Sequence, residues 1–110
     1  MIGRAAKTAD CQAQIREGNR LRDSRQYAAA AEAYAVALAL APERTDIRVQ
    51  YANMLKDAGR PTEAEAVYRQ ALTAAPDVPE IHYNLALVLT SLDRRPEAVA
   101  SYREAIRLKP

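Results

Sequence analysis

At 110 residues the chain has room for one domain, and its 16 Lys and Arg against 14 Asp and Glu leave a net charge of +2, too little to imply a nucleic-acid partner. All six aromatic residues are Tyr, and a single cysteine, Cys11, excludes an intrachain disulfide and a cysteine-built metal site. No apolar run reaches the roughly 18 residues of a membrane span, Met-Ile-Gly-Arg lacks the apolar stretch of a signal peptide, and the lone thiol fits a reducing compartment, so the expected location is cytoplasmic.

Abundant alanine, only Gly3, Gly18 and Gly59 as glycines, and the lack of β-branched runs predict an all-α chain. The first ten residues read as a weakly ordered extension of a first helix over roughly 6–24. A second helix over 27–41 ends before Pro42, which cannot continue it. Thr45 or Asp46 is placed to cap a third helix over 45–58. Gly59 stops that helix, because glycine adopts the left-handed conformation cheaply, and Pro61 suits the first turn of a fourth over 61–75. Pro76 and Asp77 repeat the break, Pro79 opens a fifth helix over 79–92, and Pro96 sits early in a sixth over 95–109. Connections this short force antiparallel neighbours. Residues 1–25 carry six basic and three acidic side chains, so the first helix either meets an acidic partner or is a solvated face.

The pattern is periodic. Pro42, Pro76 and Pro110 stand 34 residues apart and end the segments ALALAP, ALTAAP and AIRLKP. Tyr34, Tyr68 and Tyr102 recur at one offset, as do Ala37, Ala71 and Ala105, and Ala30, Ala64 and Ala98. Such a period marks a repeat array, in which each unit buries its apolar face against its neighbours and the whole presents an extended surface.

With units beginning at Cys11, Thr45 and Pro79, small residues (Gly18, Ala52, Ala86) fall at position 8 and leucines (Leu21, Leu55, Leu89) at position 11. The tyrosines take position 24 and the prolines position 32. These residues resemble the tetratricopeptide repeat family. The resemblance implies an α-solenoid of three antiparallel helix–turn–helix units, six helices in a right-handed superhelix, with residues 1–10 as an extension and 11–110 as the repeat domain. Glu17 departs from the usual apolar position 7, and Arg25 and Asp93 replace the frequent glycine of position 15.

In this family the first helices of successive units line a concave groove. Carried over by position, the resemblance implies that Ile15, Asn19 and Arg22, then Val49, Asn53 and Lys56, then Tyr83 and Leu87, with Asn84 at the edge, face a peptide or protein ligand. Asn19 and Asn53 share one slot, and an amide that both donates and accepts suits a peptide backbone; otherwise they are solvated. Arg22 and Lys56 share another slot and either meet a carboxylate or are neutralised by Asp23 and Asp57. The carboxylate clamp of some family members is missing, because Ile15, Gln50, Glu80 and Asn84 stand at its key positions. Ile15, Val49, Tyr83 and Leu87 favour a ligand with hydrophobic side chains.

No catalytic constellation emerges. His82 is the only histidine, no glycine-rich loop exists, and Cys11 has no predictable base. The expected protein is a non-catalytic interaction scaffold without cofactor. The alternatives are an accessory segment of a bacterial enzyme, since similar arrays accompany glycosyltransferases and methyltransferases, or a self-associating scaffold. At the open C-terminal end, parts of Leu85, Val88, Leu89, Leu92, Tyr102 and Ile106 should lack a partner. Either the chain is a piece of a longer protein or two copies bury that patch in a symmetric dimer.

Overall fold

The computed structural model describes residues 3–110, with helices α1 (Arg4–Asp23), α2 (Tyr27–Leu40), α3 (Thr45–Asp57), α4 (Pro61–Ala74), α5 (Pro79–Ser91) and α6 (Arg95–Leu108). Two kinds of break separate them, and each recurs with the repeat. Within a hairpin, Arg25, Gly59 and Asp93 take positive φ of 62°, 78° and 58°. The next amides, of Gln26, Arg60 and Arg94, then donate back to the carbonyls of Leu21, Leu55 and Leu89 at 2.8–2.9 Å. This closure consumes carbonyls that the helix end would otherwise leave bare. Glycine reaches that conformation freely, so Arg25 and Asp93 occupy it under strain.

Between hairpins, Ala41, Ala75 and Lys109 leave the helix with φ near −140° and ψ of 71–76°. Each precedes a proline, whose ring disfavours the helical conformation of the residue before it. The start of α3 differs from expectation. Arg44 is the N-cap without a side-chain cap bond, and Thr45 is already helical. Asp46 instead accepts two bonds from the Arg44 guanidinium at 2.8–2.9 Å, which takes its carboxylate out of capping. Helix α1 starts at Arg4, earlier than the periodicity suggests.

The helices pack in chain order, each against the next, and α3 also touches α5. The molecule is elongated, 49 × 26 × 21 Å. Its core is narrow because alanine lets the axes approach: Ala30, Ala37, Ala52, Ala64 and Ala71 are fully buried beside Leu55, Tyr34 and Tyr68. Gly18 carries this furthest. A Cβ there would lie 2.7–2.9 Å from three ring atoms of Tyr34.

Leu85, Val88 and Leu89 do not contribute to an open C-terminal face. All three are buried, on the side of α5 turned into its contacts with α4 and α6. The exposed large apolar residues at that end are Tyr83 (51% exposed), Val99 (44%) and Ile106 (64%), with Leu92 and Tyr102 half-buried.

Candidate functional site

Two hydrogen bonds of one design tie the first helices of successive hairpins side by side. Arg22 Nη1 donates to Gln50 Oε1 at 3.2 Å, and Lys56 Nζ donates to Asn84 Oδ1 at 3.3 Å. Both span 28 residues, so α1, α3 and α5 present these positions on one continuous face. All the groove residues expected on it are half-buried, except Tyr83, which is exposed. Ile15 and Val49 pack against the core with their inner atoms. Arg22 and Lys56 also lie 3.2 Å and 3.8 Å from Asp23 and Asp57, so each cation has a counter-ion besides its link to the next hairpin.

The asparagines are held from beneath. The Tyr34 hydroxyl donates to Asn19 Oδ1, and the Tyr68 hydroxyl donates to Asn53 Oδ1. In the first hairpin a neighbouring cation favours this direction. Arg22 Nη1 lies 3.4 Å from the Tyr34 oxygen; a guanidinium only donates, so the hydroxyl accepts from it and spends its own proton on Asn19. Each carboxamide oxygen is thereby committed, while neither amide NH2 has a protein partner among the described residues. Burial pushes the Tyr34 hydroxyl above the usual tyrosine range despite the nearby Arg22 charge, and burial with the Asp57 charge does the same at Tyr68. Both phenols therefore remain proton donors.

The third hairpin breaks this pattern. Leu87 stands where Asn19 and Asn53 stand, and Tyr102 instead meets Tyr83 edge to face, with centroids 5.8 Å apart and planes at 62°. The face thus runs from two amide pairs to an apolar end. Between α3 and α5 it dips into a hollow that includes Val49, Gln50, Val78 and Ile81. Sequence reasoning missed the tyrosine–asparagine bond and the role of Gln50. The signal was available in the first two units, which share Asn at position 9 and Tyr at position 24, whereas the third has Leu87 above its tyrosine.

Elsewhere the side chains serve the joints. Arg48 Nη2 donates to the Pro42 carbonyl and His82 Nε2 meets the Pro76 carbonyl, each at 2.7 Å and each 34 residues from its counterpart. Glu65 accepts from Arg94 at 2.6 Å and from Arg69 at 3.0 Å, tying α4 to the turn before α6. Burial opposes ionisation of Glu65, yet the two guanidiniums outweigh it and hold the carboxyl below its ordinary range. Cys11 is buried with its Sγ 3.5 Å from the Ala37 carbonyl. Among the described residues no group of three or more His, Cys, Asp or Glu is placed to hold a metal, and no helix is long and apolar enough to cross a membrane.

Two-helix hairpins stacked in chain order, with small, aromatic and proline positions recurring together, define a helical-repeat solenoid. The tetratricopeptide repeat model matches residues 15–79 and 52–110, and the chain belongs to that family. No curated protein sequence matches it. Among solved structures it is similar to the crystal structure of MamA (TM-score 0.85, 19% identity), covering 96% of this chain and 61% of that one. It is also similar to YrrB, described as a TPR protein with an unusual peptide-binding site (TM-score 0.88, 21% identity), covering 92% of this chain and 52% of that one. The chain thus spans between half and about three fifths of the length of these structures, and identities this low establish the shared fold alone.

Proposed function

We propose that the protein is a non-catalytic interaction scaffold that holds an extended peptide or protein segment against the face formed by α1, α3 and α5. The observation that carries this reading is the pair of oriented amides. Tyr34 and Tyr68 fix Asn19 and Asn53 by their oxygens and leave two NH2 groups in equivalent slots of adjacent hairpins. An extended backbone offers carbonyls at regular intervals, and pre-oriented donors bind them at low entropic cost. Ile15, Val49, Tyr83 and Leu87 add apolar contacts, and Arg22 and Lys56 lie along the same path. The small net charge favours protein over nucleic acid as the partner. A relative in fold described as having a peptide-binding site supports the class of ligand. We place this activity in the cytoplasm, where a lone buried thiol stays reduced.

The test is Asn53→Asp. Aspartate keeps an oxygen for the Tyr68 hydroxyl and removes the NH2 donors, so the fold is retained and only the ligand contact is lost. Peptides selected from a random library on the wild-type protein should bind in calorimetry and lose affinity by about tenfold to the variant. Equal affinity for both proteins would remove Asn53 from the site.

A further inference from the structure

The residues that α3 and α5 place on the shared face follow one stripe in each helix. On α3 it runs Asp46, Val49, Gln50 and Asn53, and on α5 Glu80, Tyr83, Asn84 and Leu87, at the three- and four-residue spacings of a single helix side. Both stripes therefore start with a carboxylate. In α1 the same slot holds Gln12, and Arg16 stands at the place of Gln50 and Asn84. The acidic end is thus confined to the α3–α5 half of the face.

The hollow between α3 and α5, about 370 Å³, lies at that end. Val49, Val78 and Ile81 give it an apolar floor, and the charged residues among its described lining are Asp46 and Glu80, both acidic. The floor is fixed, because Val49 and Val78 pack against the core and Ile81 is buried in it. Gln50 adds an amide: its oxygen accepts from Arg22, and its NH2 has no protein partner among the described residues. The counter-ions of the two carboxylates are not part of the lining. Arg44 meets Asp46 from the α2–α3 turn, and Lys109 lies 3.6 Å from Glu80 with both side chains largely exposed, a weak kind of pairing.

The carboxylates alone would be a solvated rim; above an apolar floor they suit one kind of side chain. Lysine and arginine lay an aliphatic stem on apolar surface and keep the cation at the edge. An aliphatic side chain would fill the floor without using the rim, and an acidic one would be repelled by it. We infer that this hollow selects a lysine or arginine of the bound segment, with Val49, Val78 and Ile81 taking its stem and Asp46 and Glu80 its charge. The inference rests on the α1–α3–α5 face being a peptide site. It also sets a register. Asp46 and Asn53 are seven residues apart on α3, about 10 Å, which an extended chain spans in about three residues. The basic residue therefore belongs about three positions from the one whose carbonyl meets the Asn53 NH2, and Gln50 stands between the two to take a carbonyl of its own.

The probes are peptides selected from a random phage-displayed library on the full wild-type chain, then synthesised and titrated by calorimetry. A lysine or arginine is expected at one aligned position of the selected sequences. Replacing it by methionine, which keeps an unbranched stem, should weaken binding to wild type by about fivefold, and to the Asp46→Asn/Glu80→Gln double variant by less than about twofold. Raising the salt concentration should shrink the wild-type difference. Both carboxylates are exposed, so the double variant should keep its helix content by circular dichroism. Glu80→Gln alone, which leaves the Arg44–Asp46 pair in place, should give an intermediate loss. The inference is overturned if the selected peptides share no basic position, or if the methionine replacement costs the same in both proteins. Should those peptides still lose affinity to Asn53→Asp, the peptide-binding reading survives without this pocket; if the library yields no binder, both fall.

Discussion

Gly18→Ala measures how tightly α1 is drawn onto α2. The added Cβ would meet Tyr34 Cε1, Cδ1 and Cζ at 2.7, 2.8 and 2.9 Å, well inside contact distance. Tyr34 has no room to yield: it is fully buried and its hydroxyl is held by Asn19 and Arg22. Overpacking of this kind costs about 1–3 kcal/mol. Against it stands the helix propensity of alanine over glycine, worth about 1 kcal/mol. The α3–α4 hairpin carries Ala52 at the equivalent place beside an equally buried Tyr68, so a wider helix spacing is available. Adopting it would pull Arg22 away from Gln50. The net expectation is a loss of up to about 2 kcal/mol, at most roughly 8 °C in melting temperature for a chain of this size. Urea unfolding followed by circular dichroism reads this directly. In a double-mutant cycle Tyr34→Leu should relieve part of the cost. A Gly18→Ala protein more stable than wild type, or strict additivity with Tyr34→Leu, would refute the packing argument.

Other consequences are as specific. Arg25→Gly and Asp93→Gly remove side chains from left-handed backbone and should each raise stability by about 0.5–1 kcal/mol, whereas Gly59→Ala, at φ 78°, should lower it by about 1 kcal/mol; urea midpoints decide. Tyr68→Phe leaves Asn53 half-exposed and able to find water, so it should cost about 1 kcal/mol. Asn53→Ala strands a buried hydroxyl and should cost more, about 1–3 kcal/mol, which a comparison of the two unfolding curves checks. Glu65 has its folded pKa lowered, so its pairing with Arg94 and Arg69 stabilises the fold above the ordinary glutamate value of 4.5 and is lost as pH falls from there through the folded value. The stability gap between wild type and Glu65→Gln should therefore be constant near neutrality and shrink below pH 4.5; a gap that widens on acidification contradicts the assignment.

Much of this architecture was legible because it rests on local chemistry. Proline and glycine announce the breaks, and small residues every 34 positions announce close helix crossings. What escaped the sequence depends on which atoms meet in space. Thr45 and Asp46 look like caps, but Arg44 claims the Asp46 carboxylate. Leu85, Val88 and Leu89 look exposed when a helix at the chain's end is assumed to have one open side. In fact all three lie on the side of α5 enclosed by α4 and α6. Asn19 and Asn53 look like solvent-facing ligand contacts. The structure gives each a structural task, accepting a hydrogen bond from a buried tyrosine, which only the joint recurrence of Asn and Tyr in the first two units hints at.

The most direct test of the scaffold reading is an NMR titration of the nitrogen-labelled protein with a library-selected peptide, observing side-chain amide signals. The account predicts that the NH2 resonances of Asn19 and Asn53 shift together and saturate with the peptide, while the α2 and α4 backbone signals away from that face stay in place. Saturable binding that leaves both asparagine NH2 groups unmoved would contradict it.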